Sequence, residues 1–453
     1  MANIIRRAAH RLNVGIERYL PHSFIFVVVL TVVAYLLALG LTPTDPFDIV
    51  LEWYGQFWAF LQFAMQMTLI IVTGYGIATS PIVRRGLLRL AEVPSTPARA
   101  YLSVVLVGAG LAYINWGLGF VTAAFYAIAL GALRDDLDYG YLVATAYIGI
   151  WPGVAGSLSI TAPLLVNTPG HFLEDQIGLI PLTETIWSPL HLSLVIGSLI
   201  FTLLLIYLMR PPAETTETIE EEELEELLPR YDESSENPNA IAERLNNNPI
   251  FVAAIVLLAG SYIMYLVVFE GFIQALGLNS MNFILLTVGI LLHGNVVNYA
   301  NAVGDGATRA GQVILQFPFY GGIQGILIGT GLAVLAVEAI VDIATSTTYP
   351  ALVFLITGIL NIFVPSAGGQ YIVMGEILHN AAATLGVADP VIITAYTFGD
   401  VWTNMLQPFW ALPLLGIVGL RVRDVWGYVM TALVVFGIVA LSITLLFPLL
   451  GLV

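Results

Sequence analysis

The chain has 453 residues, of which 58% are hydrophobic and 10% are charged, and its formal net charge is −16. This composition lies far outside the range of soluble proteins and indicates an integral membrane protein. Cysteine and lysine are both absent, which excludes disulfides, thiolate metal sites, Schiff bases and the Walker A lysine of an ATP-driven motor. We expect neither an enzyme nor a bound cofactor.

All fifteen cationic residues are arginines. Their positions predict the threading, because cytoplasmic loops carry the excess of positive charge. Four arginines precede a first apolar segment that begins at Phe24, so we expect a retained first helix and a cytoplasmic N-terminus. The loop from Thr42 to about Gln56 has no arginine, and four more arginines follow a second segment, about residues 57–80, and mark the inside again.

The next apolar run, residues 101–133, is too long for one crossing. As a single helix its roughly 33 residues would measure about 50 Å, against a hydrocarbon core of about 30 Å. The run ends at Arg134, an inside residue. We interpret it as a re-entrant hairpin that opens to the cytoplasm, with its tip at residues 115–119. Residues 141–166 then predict a helix that crosses outward and is broken at residues 152–157.

A return segment, residues 187–209, leads to a strongly acidic connector. Between Pro211 and Asn248 lie twelve Asp or Glu residues and two Arg residues. Such a composition is typical of a solvated, poorly ordered segment. We predict a cytoplasmic linker over residues 210–249 that joins the two halves, with a role in partner binding as the alternative.

The second half begins with an unpaired crossing. Residues 251–269 have no counterpart in the first half, so they invert the orientation of everything that follows. Residues 304–306 are predicted as a turn. Residues 312–343 are predicted to run outward, with an irregularity near Pro318 and residues 321–322.

A second over-long run follows at residues 351–385, and its flanks lack arginine. It predicts a second hairpin, which opens from outside. Residues 391–420 predict a second broken helix, with the break between Asp400 and Pro408. A last segment, residues 426–446, leaves the C-terminus outside.

The two broken helices repeat each other in sequence. The tripeptide Thr-Ala-Tyr at residues 145–147 recurs at 394–396, and a Pro-Leu-Leu motif at 163–165 recurs at 413–415. Paired, Gly/Pro-interrupted segments in the two halves of a membrane chain point to the binding site of a secondary transporter. Non-helical backbone survives in hydrocarbon only where it is buried in protein or lines a polar cavity. The four breaks therefore predict one cavity near mid-membrane.

The breaks supply the candidate binding residues. No arginine or lysine lies within a predicted membrane segment, so an anion would be held by helix N-termini, hydroxyls and amides together with a co-bound cation. The candidate substrate ligands are Asn115, Trp116, Gly117, Ser157, Ser366, Gly368, Gly369, Gln370, Trp402, Asn404 and Gln407. The candidate cation or proton ligands are Asn115, Ser159, Asn361, Asp400 and Thr403, and Na⁺ at the hairpin tips is the metal considered.

Asp400 is the leading cation or proton partner, because ionisable residues inside membrane segments are functional by default. Alternatives remain open. Asp400 could be a structural hydrogen-bond acceptor, the hydroxyls of Ser157 and Ser159 could bond only to the preceding turn, and the glycines of the first tip could serve packing. Glu338 and Glu376 are weaker candidates, since either could sit near an interface. The six histidines do not cluster with acids at metal-ligand spacing.

Several stretches at these breaks resemble one known family. They are MQMTLIIVTG from Met65, INWGLGF from Ile114, APLLVNTPG from Ala162, ILQFPFYGGIQ from Ile314, NIFVPSAGGQ from Asn361 and NMLQPFWALP from Asn404. On these motifs the chain resembles the short-chain fatty acid transporter family, the carriers associated with acetoacetate and butyrate uptake. The resemblance runs over roughly residues 19–447 and is weaker in the acidic linker.

This resemblance implies a fold and a mechanism. The family is grouped with the ion transporter superfamily, so the chain would be an all-α polytopic membrane protein with inverted repeats, each with a re-entrant hairpin and a broken helix. It would work by an elevator motion, commonly as a homodimer. By analogy, residues 19–99 and 250–348 would be scaffold, and residues 100–209 and 349–447 the two parts of the transport domain.

We therefore expect a plasma-membrane secondary active transporter that takes up short-chain monocarboxylates with Na⁺ or H⁺, the acyl chain lying against Trp116, Trp402 or Phe409. The expected partners are this carboxylate, the lipid bilayer and a second copy of the chain, and no nucleic acid. One alternative is a carrier of the same architecture for a dicarboxylate, an amino acid or Na⁺/H⁺ exchange. Others are a passive channel and an intramembrane aspartyl hydrolase, which would need a second mid-membrane carboxylate.

Overall fold

The computed structural model describes residues 23–211, 241–273, 275–362 and 366–452. Within these ranges every regular element is a helix and no β-strand occurs. By length and composition, six helices of the described part of the chain could cross a membrane, or seven when one sharply bent pair counts as a span. The described residues form an all-helical, multi-pass membrane protein. The N-terminal arginines, most of the predicted acidic linker, and Val364 and Pro365 of the predicted second tip lie outside the described residues.

The first half contains the first and second apolar segments, the first over-long run and the first broken helix. Its helices are α1 (Ser23–Leu41), α2 (Pro46–Gln56), α3 (Leu61–Ala78), α4 (Pro81–Ala91), α5 (Pro97–Ile114), α6 (Trp116–Leu133), α7 (Tyr139–Gly149), α8 (Trp151–Ala155), α9 (Thr161–Val166), α10 (Glu174–Ile177) and α11 (Pro189–Met209).

The second half begins after the linker. Its helices are α12 (Ile241–Asn246), α13 (Pro249–Tyr265, continued by a π-helical turn over Leu266–Gly271), α14 (Leu278–His293), α15 (Val296–Gly329), α16 (Leu332–Ile343), α17 (Tyr349–Asn361), α18 (Ala367–Leu385), α19 (Asp389–Asn404), α20 (Pro408–Val418) and α21 (Val422–Leu449).

Local sequence chemistry sets several helix starts. Ser80, Thr96 and Ser188 each accept a hydrogen bond from the backbone N–H three residues on, and each is followed directly by proline. A hydroxyl at the N-cap satisfies a free N–H, and proline at the first helical position loses no hydrogen bond. These helices therefore begin without help from the rest of the fold.

The four predicted interruptions are all breaks in helical structure. The first over-long run divides at Asn115 into α5 and α6, and the second divides into α17 and α18. The first broken helix loses regular structure over residues 156–160, later than the predicted break at residues 152–157, because Pro152 lies in the first turn of the short helix α8 and so does not interrupt it. The second broken helix loses regular structure over residues 405–407. Both arms of the first over-long run, α5 and α6, have 18 residues and are among the helices long and apolar enough to cross a membrane, whereas the arms of the second run have 13 and 19 residues.

Two predictions about the segments outside these breaks are wrong. Residues 42–56, expected as a loop, contain the helix α2. Residues 304–306, expected as a turn, lie inside the long helix α15. Residues 304–306 were misread because glycine and aspartate, which favour turns, are tolerated within a helix at a modest cost.

The expected irregularity near Pro318 is also misplaced. Helix α15 continues past it, and the chain bends by 75° only at residues 330–331, where Gly331 has φ +79°. The glycines at residues 321, 322, 325 and 329 instead form a smooth face on which α2 packs: a Cβ on Gly325 would lie 2.3 Å from Glu52 O. Small residues allow close helix approach in membranes, so this pattern signals packing.

Close backbone approach also holds the broken helices in place. A Cβ on Gly153 in α8 would lie 2.0 Å from Ala109 O in α5, and a Cβ on Gly399 in α19 would lie 2.4 Å from Phe354 O in α17. Each broken helix is therefore pressed against the first arm of the over-long run in its own half. The two breaks are positioned by these contacts.

We predict that Gly153→Ala destabilises the protein. The added methyl group meets a backbone oxygen that cannot move without shifting α5, and overpacking of this kind costs about 1–3 kcal/mol. A lower melting temperature of the purified protein in detergent is the expected result.

Gly110→Ala is the matched control. It lies on α5 beside Ala109, but a Cβ there meets nothing within 4 Å. Equal melting temperatures for the two variants would contradict the close-approach account.

Candidate functional site

The tip of the first over-long run, near Asn115, is hydrogen-bonded to the break in the first broken helix. Asn115 Oδ1 accepts from Leu118 N at 2.8 Å and so caps α6. The backbone N–H of Trp116 donates to Ser159 Oγ at 3.1 Å, and the backbone N–H of Leu158 donates to Tyr113 O at 2.8 Å. Backbone groups at both interruptions are therefore satisfied by each other, as an apolar environment requires.

The second half repeats this arrangement with side-chain amides. Asn361, at the end of α17, donates through Nδ2 to Asp400 O at 2.9 Å. In return, Gln407 Nε2 donates to Asn361 O at 2.9 Å and to Ile362 O at 2.8 Å. The last carbonyls of α17 and a carbonyl near the end of α19 are thereby capped reciprocally.

A buried polar network surrounds Asp400. Asn361 Nδ2 also lies 3.0 Å from Thr403 Oγ1 and 2.7 Å from Asn404 Oδ1. Thr403 Oγ1 donates to Gly358 O, and Asn404 Nδ2 donates to Asp400 Oδ2 at 3.0 Å. Two buried oxygens, Asp400 Oδ1 and Asn361 Oδ1, have no hydrogen-bond partner among the described residues. Buried polar atoms are rarely left so, which marks this point as a candidate site for a cation or a proton.

The tyrosines of the repeated Thr-Ala-Tyr motif donate hydrogen bonds to backbone carbonyls beside the breaks. Tyr147 OH donates to Asn404 O at 3.1 Å, which links the first broken helix to the end of α19. Tyr396 OH donates to Ala367 O in the first turn of α18. Both repeats thus use the same residue to satisfy a carbonyl beside an interruption.

A cavity lies between the breaks and comprises about 530 Å³ of atom-free space, including its mouth. One part of its wall is apolar and contains five aromatic side chains, and another part is polar. The lining residues are Met67, Ile71, Trp116, Phe120, Trp151, Val154, Ile160, Thr161, Phe317, Ser366, Ala367, Gly368, Asp400, Asn404 and Trp410.

Among the described residues that line the cavity there is one acid and no base. Asp400 is 2% exposed, and no arginine, lysine or histidine is among the lining residues. The N-terminus of α18, with Ser366 as its N-cap, borders the same space. A helix N-terminus carries partial positive charge and free N–H groups, which favour an anion. The site can therefore pair an anion at α18 with a cation or proton at Asp400.

Five of the candidates predicted from sequence line this cavity: Trp116, Ser366, Gly368, Asp400 and Asn404. Of the others, Asn115, Ser159, Asn361, Thr403 and Gln407 form the caps and the network described above. Ser157 bonds to Ser159, Gln370 donates to Thr357 O, and Gly117 and Gly369 lie in close contact with neighbouring helices.

Trp402 faces away from this space. Its indole donates to Leu433 O at 2.8 Å, and its ring stacks on Phe354. Phe409, also predicted to contact the acyl chain, has a side chain outside the described part of the structure. No group of three or more His, Asp or Glu residues that could hold a metal ion occurs in the described ranges.

Sequence reasoning missed most of the aromatic wall. Phe120 stacks on Trp410 at 6.0 Å and meets Trp151 edge to face at 5.4 Å, and Trp116 meets Trp410 at 5.6 Å. The available signal was spacing: Phe120 follows Trp116 by four residues, one helical turn from the tip, so both share a face of α6. These rings form an apolar compartment beside the polar network.

Comparisons with known proteins agree on one family. The profile described as "Short chain fatty acid transporter" matches residues 4–448. Two proteins named "Putative short-chain fatty acid transporter" are similar to the chain: one from Haemophilus influenzae, 35% identical over 95% of this chain and 97% of its own, and one from Escherichia coli, 34% identical over 96% and 98%.

A solved structure is similar in fold. It is the YdaH transporter of Alcanivorax borkumensis, described as having an unusual topology, with a TM-score of 0.59 and 15% identity over 95% of this chain and 99% of that one. At this identity the likeness shows the fold alone.

We predict that Asn361→Ala destabilises the protein by about 1–3 kcal/mol, because it leaves Asp400 O and neighbouring acceptors without a donor in a buried site. The loss is measured as a lower melting temperature in detergent. Asn380→Ala is the control, since Asn380 is exposed on α18 and accepts a side-chain bond only from Gln176. An Asn361 variant as stable as the control would rule out the capping role.

Proposed function

Because the chain belongs to the short-chain fatty acid transporter family, we propose that it is a secondary active transporter that takes up short-chain monocarboxylates such as butyrate and acetoacetate, coupled to Na⁺ or H⁺. Family membership makes the protein a membrane transporter rather than an enzyme. The observation that carries the finer proposal is the cavity itself: an aromatic compartment next to a helix N-terminus and an unpartnered Asp400 oxygen.

The substrate would lie with its carboxylate at the N-terminus of α18. The first-turn residues Ala367 and Gly368 border the cavity, and N–H groups in the first turn of a helix have no intrahelical acceptor. The short acyl chain would then extend into the compartment of Trp116, Phe120 and Trp410. Burial of each CH₂ group there contributes about 0.8 kcal/mol, so the aromatic wall supports a small apolar tail.

Coupling between substrate and cation follows from the negative charges that meet in the cavity. A substrate carboxylate and the Asp400 carboxylate in one dry cavity repel each other, and each ion loses its hydration there. A proton on Asp400, or Na⁺ shared between Asp400 Oδ1, Asn361 Oδ1 and nearby carbonyls, removes this cost. Substrate and cation would therefore bind together, and neither would be carried efficiently alone.

Alternating access would come from relative motion of two parts. In this proposal the over-long runs form re-entrant hairpins, and with the broken helices they make the transport domain, residues 100–209 and 349–447. Residues 19–99 and 250–348 make the scaffold. The transport domain would carry the cavity past the scaffold as an elevator, in a homodimer with a cytoplasmic N-terminus in the plasma membrane. Distances between reporter labels on α3 and α19 that stay constant through transport would contradict this motion.

The transport proposal predicts concentrative uptake by the purified protein in liposomes. Labelled butyrate and acetoacetate should accumulate when an inward Na⁺ or pH gradient is imposed, and uptake should saturate. Competition by unlabelled dicarboxylates and amino acids at the same concentration should be weak, because the proposed binding mode places a single carboxylate at the N-terminus of α18. Uptake that depends on neither gradient would refute coupling to Na⁺ or H⁺. Strong competition by dicarboxylates would refute the monocarboxylate assignment.

We predict that Asp400→Asn lowers gradient-driven accumulation by about ten-fold or more, equivalent to ~1.4 kcal/mol of lost cation binding. The amide keeps the shape of the side chain and removes the charge that holds the cation. Glu376→Gln is the control, because Glu376 is a half-buried acid on α18 outside the cavity lining. If both variants accumulate substrate like the unmodified protein, Asp400 is not the coupling residue.

A further inference from the structure

Trp151 is held rigidly in the wall of the cavity. It is the first residue of α8, is 1% exposed, and lies between Gly149 and Gly153, both of which contact α5 closely. Its ring meets Phe120 edge to face at 5.4 Å and Tyr147 at 5.6 Å. The side chain cannot swing away to another rotamer without displacing these rings.

The indole N–H of Trp151 is buried and has no hydrogen-bond partner within the described ranges. An indole can only donate, and a donor left unpaired in a dry site is costly. The described residues that line the cavity therefore include two that carry unpaired buried polar atoms of opposite kind, Asp400 with the Oδ1 acceptor and Trp151 with the indole donor. The proposed function uses the first and leaves the second without a role.

We propose that the indole N–H of Trp151 donates a hydrogen bond to an oxygen atom on the acyl chain of the substrate. Trp151 is then a specificity residue that favours oxo and hydroxy acids over unsubstituted fatty acids. This inference rests on the proposed function, because it takes the carboxylate to be held at α18. The ligand class is a short monocarboxylate whose chain carries a carbonyl or hydroxyl oxygen.

The surroundings of Trp151 favour a neutral acceptor over the carboxylate itself. Its ring contacts are with Phe120, which has no donor, and with Tyr147, whose hydroxyl already donates to Asn404 O. A carboxylate loses strong hydration on burial and needs several donors, whereas a ketone oxygen needs one. The α18 N-terminus offers the several donors.

We expect a sizeable difference in binding affinity between acids with and without this oxygen. A site that hydrogen-bonds a substrate oxygen disfavours the analogue that lacks it, since the buried partner is then left unpaired. Acetoacetate and butyrate differ at this position by one carbonyl group, and 3-hydroxybutyrate offers a hydroxyl there. The three acids thus isolate the contribution of the oxygen.

The test is a comparison of dissociation constants on the purified full-length protein, measured by titration calorimetry with acetoacetate, 3-hydroxybutyrate and butyrate. The unmodified protein should bind the two oxygen-bearing acids more tightly than butyrate. Trp151→Phe removes the N–H and keeps an aromatic ring, so it should weaken their binding about ten-fold, or ~1.4 kcal/mol, and leave butyrate binding unchanged.

Trp426→Phe is the matched control. Trp426 is 0% exposed, its indole N–H is also without a partner in the described part of the chain, and it lies outside the cavity lining. This variant should not alter the ratio of the constants. Equal weakening of all three acids by Trp151→Phe, or no weakening, would overturn the inference. Binding with the expected ratio but no uptake would refute only the transport proposal.

Discussion

The hydrogen bonds that polar backbone groups must make inside hydrocarbon determine the arrangement of this protein. In the proposed arrangement each interrupted helix has N–H and C=O groups inside the membrane, where an unpaired group costs several kcal/mol. The chain meets this requirement by pairing interruptions. Asn361 and Gln407 cap each other's helices with bonds of 2.8 to 2.9 Å, and Ser159 caps the start of α6. Since each interruption supplies the other's partner, the breaks must lie together.

The cavity follows from what this pairing leaves over. Most of the polar side chains at the breaks are used by the protein itself, and the unpaired atoms carried by described residues of the cavity lining include Asp400 Oδ1 and the indole N–H of Trp151. The lining holds no basic side chain. A carboxylate can enter such a space only if a helix N-terminus receives it and a cation or proton accompanies it, so selectivity and coupling have the same physical origin in the proposed function.

The positions of the breaks could be predicted from the sequence, whereas the use of their residues could not. Over-long apolar runs and the Gly/Pro patterns located the interruptions near Asn115 and after Asp400 and placed the one predicted at residues 152–157 a few residues too early, because helix length and proline chemistry are local properties but the exact end of a helix depends on its neighbours. Whether Gln407 binds a ligand or a backbone carbonyl depends on which segment folds beside it. The aromatic wall was missed for a similar reason, since Phe120 and Trp410 resemble lipid-facing residues until their neighbours are known. Glycine misled in α15 because packing faces and bends use the same residue.

The most direct test of the central claim is a structure of the protein in lipid nanodiscs with saturating butyrate. The account predicts ligand density in the cavity, with the carboxylate within hydrogen-bond distance of the first turn of α18 and the acyl chain against Trp116 and Trp410. It also predicts that the network around Asp400 keeps its bonds. Ligand density elsewhere, or a carboxylate bound by an arginine side chain, would contradict it.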